Sequence, residues 1–187
     1  DSIFAPNDNM KIACIAESPG GFIQALLDQR SCDKKRTIKD DITTISIGIG
    51  QNSPYKQLYT KLTRQYPVNI MTDDLTENTK TSTESNVLFI GGVTDGASDR
   101  TGDILNSENR DRFYKEFSTE RGGKADLVTG DAGKERDKTQ STEELVCHNL
   151  LLAEILMALR CQKQDGCFIL KIFDMASDFT VNLIEIL

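Results

Sequence analysis

The sequence predicts an α/β fold: a mostly parallel β-sheet with helices on both faces. Short apolar, β-branched runs alternate with stretches of helical spacing five times along the chain, and such alternation calls for crossover connections. The strand-like runs are short and nearly continuous in hydrophobicity, as in strands covered on both faces. The breaks that follow them are rich in glycine, proline and aspartate, the residues of tight turns.

Residues 10–16 (MKIACIA) read as a buried strand, stopped by the turn Glu17-Ser18-Pro19-Gly20-Gly21. Phe22 opens a stretch of helical spacing to residue 27, and a polar loop follows over 28–41. Residues 42–49 (ITTISIGI) are β-branched and form the second strand, and residues 55–66 carry one apolar helix face. Residues 72–86 are threonine-rich and lack a core pattern, so a surface loop is expected there. The third strand is 87–90 (VLFI), followed by a glycine- and aspartate-rich loop over 96–102 and a helix over 109–118. Residues 125–129 form a fourth strand that ends at Gly130-Asp131-Ala132-Gly133.

Ser141 and Glu144 fit a capping box for the longest helix. Leu145, Leu152, Ile155, Leu156 and Leu159 continue its apolar stripe, and Asp165-Gly166 is the stop signal. Residues 167–173 are the fifth strand and 179–187 a final helix. In such sheets ligands bind beyond the carboxyl ends of the strands, so the residues just after each strand are the ones to examine.

The chain has 187 residues, with 29 acidic and 22 basic side chains, a formal charge of -7 and one histidine, His148. One domain with a sizeable core is the expectation at this length. The acidic balance opposes a positive coat over the whole surface but leaves room for a local basic groove. A single histidine makes a histidine-based triad or a multi-histidine metal site hard to assemble. Five cysteines (Cys14, Cys32, Cys147, Cys161, Cys167) include no Cys-x-x-Cys pair, and buried reduced thiols in a cytoplasmic protein are expected. No apolar run approaches the ~18 residues of a membrane span, so no membrane partner is expected. The first residue is Asp1, which suggests a fragment or a processed product.

Residues 48–53 (GIGQNS) resemble a dinucleotide fingerprint but carry serine in place of the third glycine, and they follow the second strand rather than the first. No segment matches a phosphate-cradling G-x-x-x-x-G-K-[ST] loop. The turn at Glu17–Phe22 is a better ligand loop: it joins the first strand to the first helix, and Gly20 and Gly21 remove side chains where a ligand would approach. A plain tight turn would have the same composition.

Residues 16–22 (AESPGGF) resemble the S-adenosylmethionine loop of the FtsJ-like ribose 2'-O-methyltransferases. The resemblance continues in order through 101–105 (TGDIL), 126–133 (DLVTGDAG) and 166–174 (GCFILKIFD). The wording is most similar to the branch that methylates the cap-adjacent ribose of messenger RNA, found in eukaryotes and large DNA viruses.

The resemblance implies a Rossmann-like methyltransferase sheet, S-adenosylmethionine as cofactor and RNA, specifically capped mRNA, as partner. It implies no metal. Glu17, Ser18, Pro19, Gly20, Gly21 and Phe22 would hold the cofactor together with Asp103 and Asp131. Asp103 would take the adenosine part, and Glu17 would face the amino group. Lys171 and Asp131 would be catalytic, the lysine orienting or deprotonating the ribose hydroxyl and the aspartate orienting the lysine. A lysine acts as a base only where desolvation or a cationic neighbour favours the neutral amine, and Asp131 would act the other way.

On the residues alone, other roles stay open. Lys171 could bury its stem and snorkel its amine outwards, Asp131 could be a turn aspartate, and Asp103 could cap the following helix. Lys34, Lys35, Arg36, Lys134, Arg136 and Lys138 are candidate phosphate contacts.

The family's upstream catalytic lysine and its downstream glutamate have no counterpart here. Lys11 lies too close to the glycine loop, and Glu185 lies inside the last helix. Residues 1–187 are therefore expected to be a methyltransferase domain incomplete at both ends and lacking the last strands. Two other function classes fit less of the sequence. One is a catalytically weakened module that binds RNA or a partner enzyme; the other is an oxidoreductase using residues 48–53. A cytoplasmic location is expected, with a viral factory or the nucleus as alternatives.

Overall fold

The apolar run after Met10 forms the strand around which the sheet is built. The computed structural model describes residues 9–31, 39–47, 61–62, 65–66, 68–72, 85–90, 101–117, 123–133, 143–173 and 175–187. In chain order its elements are β1 (Lys11–Ile15), α1 (Gly21–Ser31), β2 (Asp41–Ile45), β3 (Val68–Thr72), β4 (Ser85–Ile90), α2 (Ser107–Lys115), β5 (Ala125–Gly130), α3 (Glu143–Cys161), β6 (Gln162–Leu170) and α4 (Asp178–Ile186). The strands form one six-stranded sheet in the order β3-β4-β2-β1-β5-β6, and each described pairing is parallel.

Alternation along β1 assigns the two faces. Ala13 and Ile15 face a core completed by Phe113 and Phe117 and by the α3 residues Leu150, Ala153 and Met157. Ile12 and Cys14 face the opposite core, with Ile23, Leu26 and Leu27 of α1 and with Leu62. Each fully buried isoleucine or leucine contributes roughly 1.5–3 kcal/mol, so the central strand is anchored from both sides. Of the helix expected over 55–66, Lys61, Leu62 and Gln65 are helical, while residues 55–60 and 63–64 lie outside the described residues.

Four expectations are corrected. The sheet holds a strand that the sequence reading missed, β3, at its edge beside β4; five residues with Asn69 and Thr72 among them carry little strand signal. β2 ends at Ile45 rather than 49, which frees Ser46 and Ile47 from the sheet. β6 begins at Gln162, directly after α3, so Asp165-Gly166 lies inside it rather than stopping the helix. There Gln162 pairs with Ala125 while Cys167 pairs with Leu127, a bulge that includes Asp165 at φ 61°. A Cβ on Gly166 would stand 3.0 Å from the carbonyl oxygens of Ala125 and Lys163, so the bulge requires glycine.

The fourth correction concerns α3. Leu152, Leu156 and Leu159, expected in its apolar stripe, are 38%, 48% and 65% exposed. The buried face runs through Cys147, Leu150, Glu154, Met157, Ala158 and Cys161. Residues 150–159 (LLLAEILMAL) are apolar on nearly every side, so periodicity alone does not select the inward face. The proposed capping box begins at residues 141–142, outside the described residues. Cys14, Cys147 and Cys161 are buried free thiols and Cys167 is half-buried. Among the described residues, no helix is long and apolar enough to cross a membrane.

A buried ion pair locks the lower end of the central strands. Arg30, in the last turn of α1, hydrogen-bonds both carboxylate oxygens of Asp40, whose Oδ1 also accepts the Met10 amide at 2.9 Å. Removing one member leaves a buried charge without its partner. Replacing Asp40 by alanine is expected to lower unfolding stability by about 3–5 kcal/mol, read as a drop in the denaturant midpoint at unchanged slope.

Candidate active site

The register of the parallel strands decides what meets at their carboxyl ends. Gly130 of β5 pairs with Leu170 of β6, so the next residues, Asp131 and Lys171, leave the sheet side by side. The Lys171 amide continues the ladder to the Gly130 carbonyl at 2.9 Å, and the Asp131 amide is tied to the Ile15 carbonyl of β1 at 3.1 Å. From these fixed backbones Lys171 Nζ stands 2.7 Å from Asp131 Oδ1. The lysine side chain is 47% exposed and the aspartate 16%, so the amine faces outwards while the carboxylate backs it. Lys171 Nζ also lies 4.8 Å from the centre of the Phe173 ring.

This pair lines a cavity of about 630 Å³ at the carboxyl ends of β1, β2, β5 and β6. Of the residues singled out by sequence, Ser18, Pro19, Asp103, Asp131 and Lys171 line it. Glu17, Gly20, Gly21 and Phe22 are not among its lining residues. Gly20 takes φ 97° and is buried, and Gly21 is the exposed first residue of α1. The Glu17 side chain is fully buried and turned towards α1, where Oε1 accepts the Phe22 amide at 2.7 Å. Asp103 does not cap α2. Asn106 does, its side chain accepting the Glu108 amide at 2.8 Å. Asp103 Oδ1 instead accepts the Leu105 amide at 2.9 Å, and the buried Asn109 side chain holds the Asp103 carbonyl at 3.0 Å. Residues 48–53 and the candidate phosphate contacts at 34–36 and 134–138 lie outside the described residues.

Several cavity residues escaped sequence reading. Ser46 and Ile47 were placed inside a longer strand, although the carboxyl-end rule would select them once β2 is ended at Ile45. Ile47 and Leu105 are exposed apolar side chains, at 53% and 49%, and both line the cavity. Asn149 enters from α3 and carried no signal beyond being polar among leucines.

Two buried carboxyl groups flank the pair. Burial pushes Glu17 up to about 7, the nearby Asp131 adding to the shift while the Phe22 amide and Lys171 oppose it. Its Oε2 is buried without a hydrogen-bond partner among the described residues. Burial likewise pushes Glu154 of α3 up to about 8, with Asp131 again adding and the Ala132 amide and Lys171 opposing. Glu154 is 1% exposed and its Oε1 accepts the Ala132 amide at 2.7 Å. A Cβ on Gly130 would come within 2.8 Å of that same oxygen.

Strand order and a cavity at the carboxyl ends define a doubly wound α/β domain with its ligand site at the switch between its halves. The chain belongs to the FtsJ-like methyltransferase family, whose model matches residues 1–187. It is similar to the Dictyostelium discoideum cap-specific mRNA (nucleoside-2'-O-)-methyltransferase 1, at 38% identity over 87 residues, 46% of this chain and 12% of that protein. The mouse protein of the same name is 34% identical over 105 residues, 55% of this chain and 12% of its own length. This chain thus matches a small part of each relative. A Plasmodium falciparum chain described as a ribosomal RNA methyltransferase shares the fold, with a TM-score of 0.50 at 18% identity over 94% of this chain and 72% of that one.

Members of the family generally use S-adenosylmethionine, and the cavity fits such a molecule. Its volume lies within the roughly 300–1,000 Å³ of small-molecule sites. Its walls pair carboxylates at Asp103 and Asp131 with the apolar surfaces of Ile47 and Leu105.

The raised carboxyls make a signed prediction. A carboxyl group whose folded value lies above its unfolded one binds more protons in the folded state between the two values, so stability falls as pH rises through that window. For Glu17 the window runs from 4.5 to about 7, and for Glu154 from 4.5 to about 8. Relative to Glu17→Gln, the unmodified chain should lose up to about 1.4 kcal/mol per pH unit across the Glu17 window. Urea unfolding of both chains at pH 5, 6, 7 and 8 measures this. A pH-independent difference would remove the assignment.

Proposed function

We propose that this chain transfers a methyl group from S-adenosylmethionine to a ribose 2'-hydroxyl of RNA, with capped messenger RNA as the substrate. The observation that carries the proposal is the Lys171–Asp131 ion pair at the rim of the carboxyl-end cavity. The Dictyostelium and mouse relatives, both cap-specific mRNA (nucleoside-2'-O-)-methyltransferases, support the choice of capped mRNA.

Bound in the cavity, S-adenosylmethionine supplies a methyl group already activated on a sulfonium. The chain's residues then have two tasks: to hold the attacking hydroxyl in line and to manage its proton. Lys171 presents an amine with almost half its side chain open to solvent, suited to donate to the hydroxyl oxygen and leave its other lone pair free. Asp131 holds that amine and is the nearest carboxylate able to accept the hydroxyl proton. The ion pair therefore serves orientation first, since contact at 2.7 Å fixes the direction in which the amine points.

Asp103 keeps one oxygen on the Leu105 amide and offers the other to an exocyclic amine or a ribose hydroxyl of the donor. Ile47 and Leu105 provide the apolar surface that a purine ring would cover. Glu17 supports the loop from behind, through the start of α1.

Isothermal calorimetry should detect S-adenosylmethionine binding, with Asp103→Ala weakening it about tenfold or more, the loss of a charged hydrogen bond. Lys171→Ala should bind the donor within about threefold of the unmodified chain while losing roughly 100-fold or more of methyl transfer, the size of a positioned proton-handling group. Capped RNA already carrying a 2'-O-methyl on its first nucleotide should not be methylated there. Donor binding with no transfer to any RNA would replace the proposal with a binding module.

A further inference from the structure

Glu154 is the one acidic side chain on the buried face of α3 among the described residues, where the buried Leu150, Leu151, Met157 and Ala158 lie one turn before and after it. An apolar side chain there would pack without the desolvation that a buried carboxyl group suffers. What the carboxyl group does is specific. The β5 ladder ends at Gly130, the Asp131 amide reaches β1, and the next amide, that of Ala132, has Glu154 Oε1 as its acceptor at 2.7 Å. Gly130 leaves the space this oxygen occupies, since a Cβ would meet Oε1 at 2.8 Å and Leu170 Cδ1 at 3.0 Å. Gly130 lacks a left-handed φ, so close approach rather than backbone freedom requires glycine here.

We propose that Glu154 is a positioning residue for methyl transfer: through the Ala132 amide it fixes the turn that presents Asp131 to Lys171. The proposal rests on the functional reading above. Asp131 is held by its amide on one side, to Ile15, and by the amide that follows it on the other, to Glu154. Loosening the second anchor lets the carboxylate swing while the β-sheet stays intact, and a misplacement of about 1 Å costs on the order of 100-fold in rate. Lys171 then loses its partner and its fixed direction.

Three variants of the full chain test this: Glu154→Gln, which keeps an oxygen acceptor of the same reach; Glu154→Met, which fills the space without one; and Gly130→Ala, which pushes the carboxyl group off the Ala132 amide. Two readouts are taken. One is kcat for methyl transfer at saturating S-adenosylmethionine and capped RNA. The other is the acylation rate of Lys171, followed by mass spectrometry without any substrate.

Glu154→Gln should stay within about threefold of the unmodified chain in both. Glu154→Met and Gly130→Ala should lose roughly 10- to 100-fold in kcat and acylate Lys171 several times faster, as the ion pair opens. If Glu154→Met does not fold, Gly130→Ala carries the same arm. Unchanged acylation in the variants lacking the anchor overturns the proposal, and so does a glutamine variant as impaired as the methionine one. If the unmodified chain transfers no methyl group, the functional reading fails, and the acylation arm still decides whether Glu154 sets the pair.

Discussion

The in-register parallel pairing of β5 with β6 is the constraint on which the rest of the site depends. Gly130 opposite Leu170 sends Asp131 and Lys171 out of the sheet together. No helix or loop has to bring them into contact. A one-residue slip would turn the side chains of β6, and Lys171 after it, to the other face. The bulge at residues 163–166 sets this register, because it absorbs the extra residues between Gln162 and Cys167 while β5 advances only from Ala125 to Leu127. Glycine at 166 is therefore as much a condition of the ion pair as either charged residue.

Around that pair the electrostatics are uneven. Lys171 stands near three carboxyl groups, Asp131 in contact and the buried Glu17 and Glu154 farther off. Burial raises both glutamates into the neutral range, so they carry less negative charge there than exposed carboxylates would. Asp131 is the carboxylate in contact with the amine. Burial keeps the two supports hydrogen-bonding to backbone amides without competing for the lysine.

Strand-forming runs and the residues just beyond them were readable in the sequence, because β-branched clusters stopped by glycine and aspartate have few other solutions. Ser18, Pro19, Asp131 and Lys171 follow such runs, and the likeness of their motifs and of 101–105 to the FtsJ-like family is what singles them and Asp103 out; all five line one cavity. The supporting role of the two buried acids is not legible in the sequence. Glu154 sits in a helix whose leucines point in every direction, and only packing shows that Leu152 faces out while Glu154 faces in. Glu17 was read as facing the ligand from its place in the loop, but its carboxyl group turns back to the Phe22 amide. Edge strand β3 was missed for a related reason: an edge needs fewer apolar residues, so its pattern is faint.

Ala16 shows how the loop manages both directions at once. It adopts φ 56°, the left-handed region that costs a non-glycine residue of the order of 1 kcal/mol. Its amide is held to the Ile45 carbonyl at 2.8 Å, so the ladder continues one residue past β1 before the chain turns sharply. The turn drives Glu17 inwards against α1 and brings Ser18 and Pro19 out to the cavity wall. An extended Ala16 would carry the chain straight on and give up both placements. The strain is sustained from two sides: by the sheet through Ile45 and by the helix start through the Glu17 carboxyl. The loop after β1 and the Lys171–Asp131 pair are thus built by one device, a backbone anchored on the sheet and then held from behind by a buried acid.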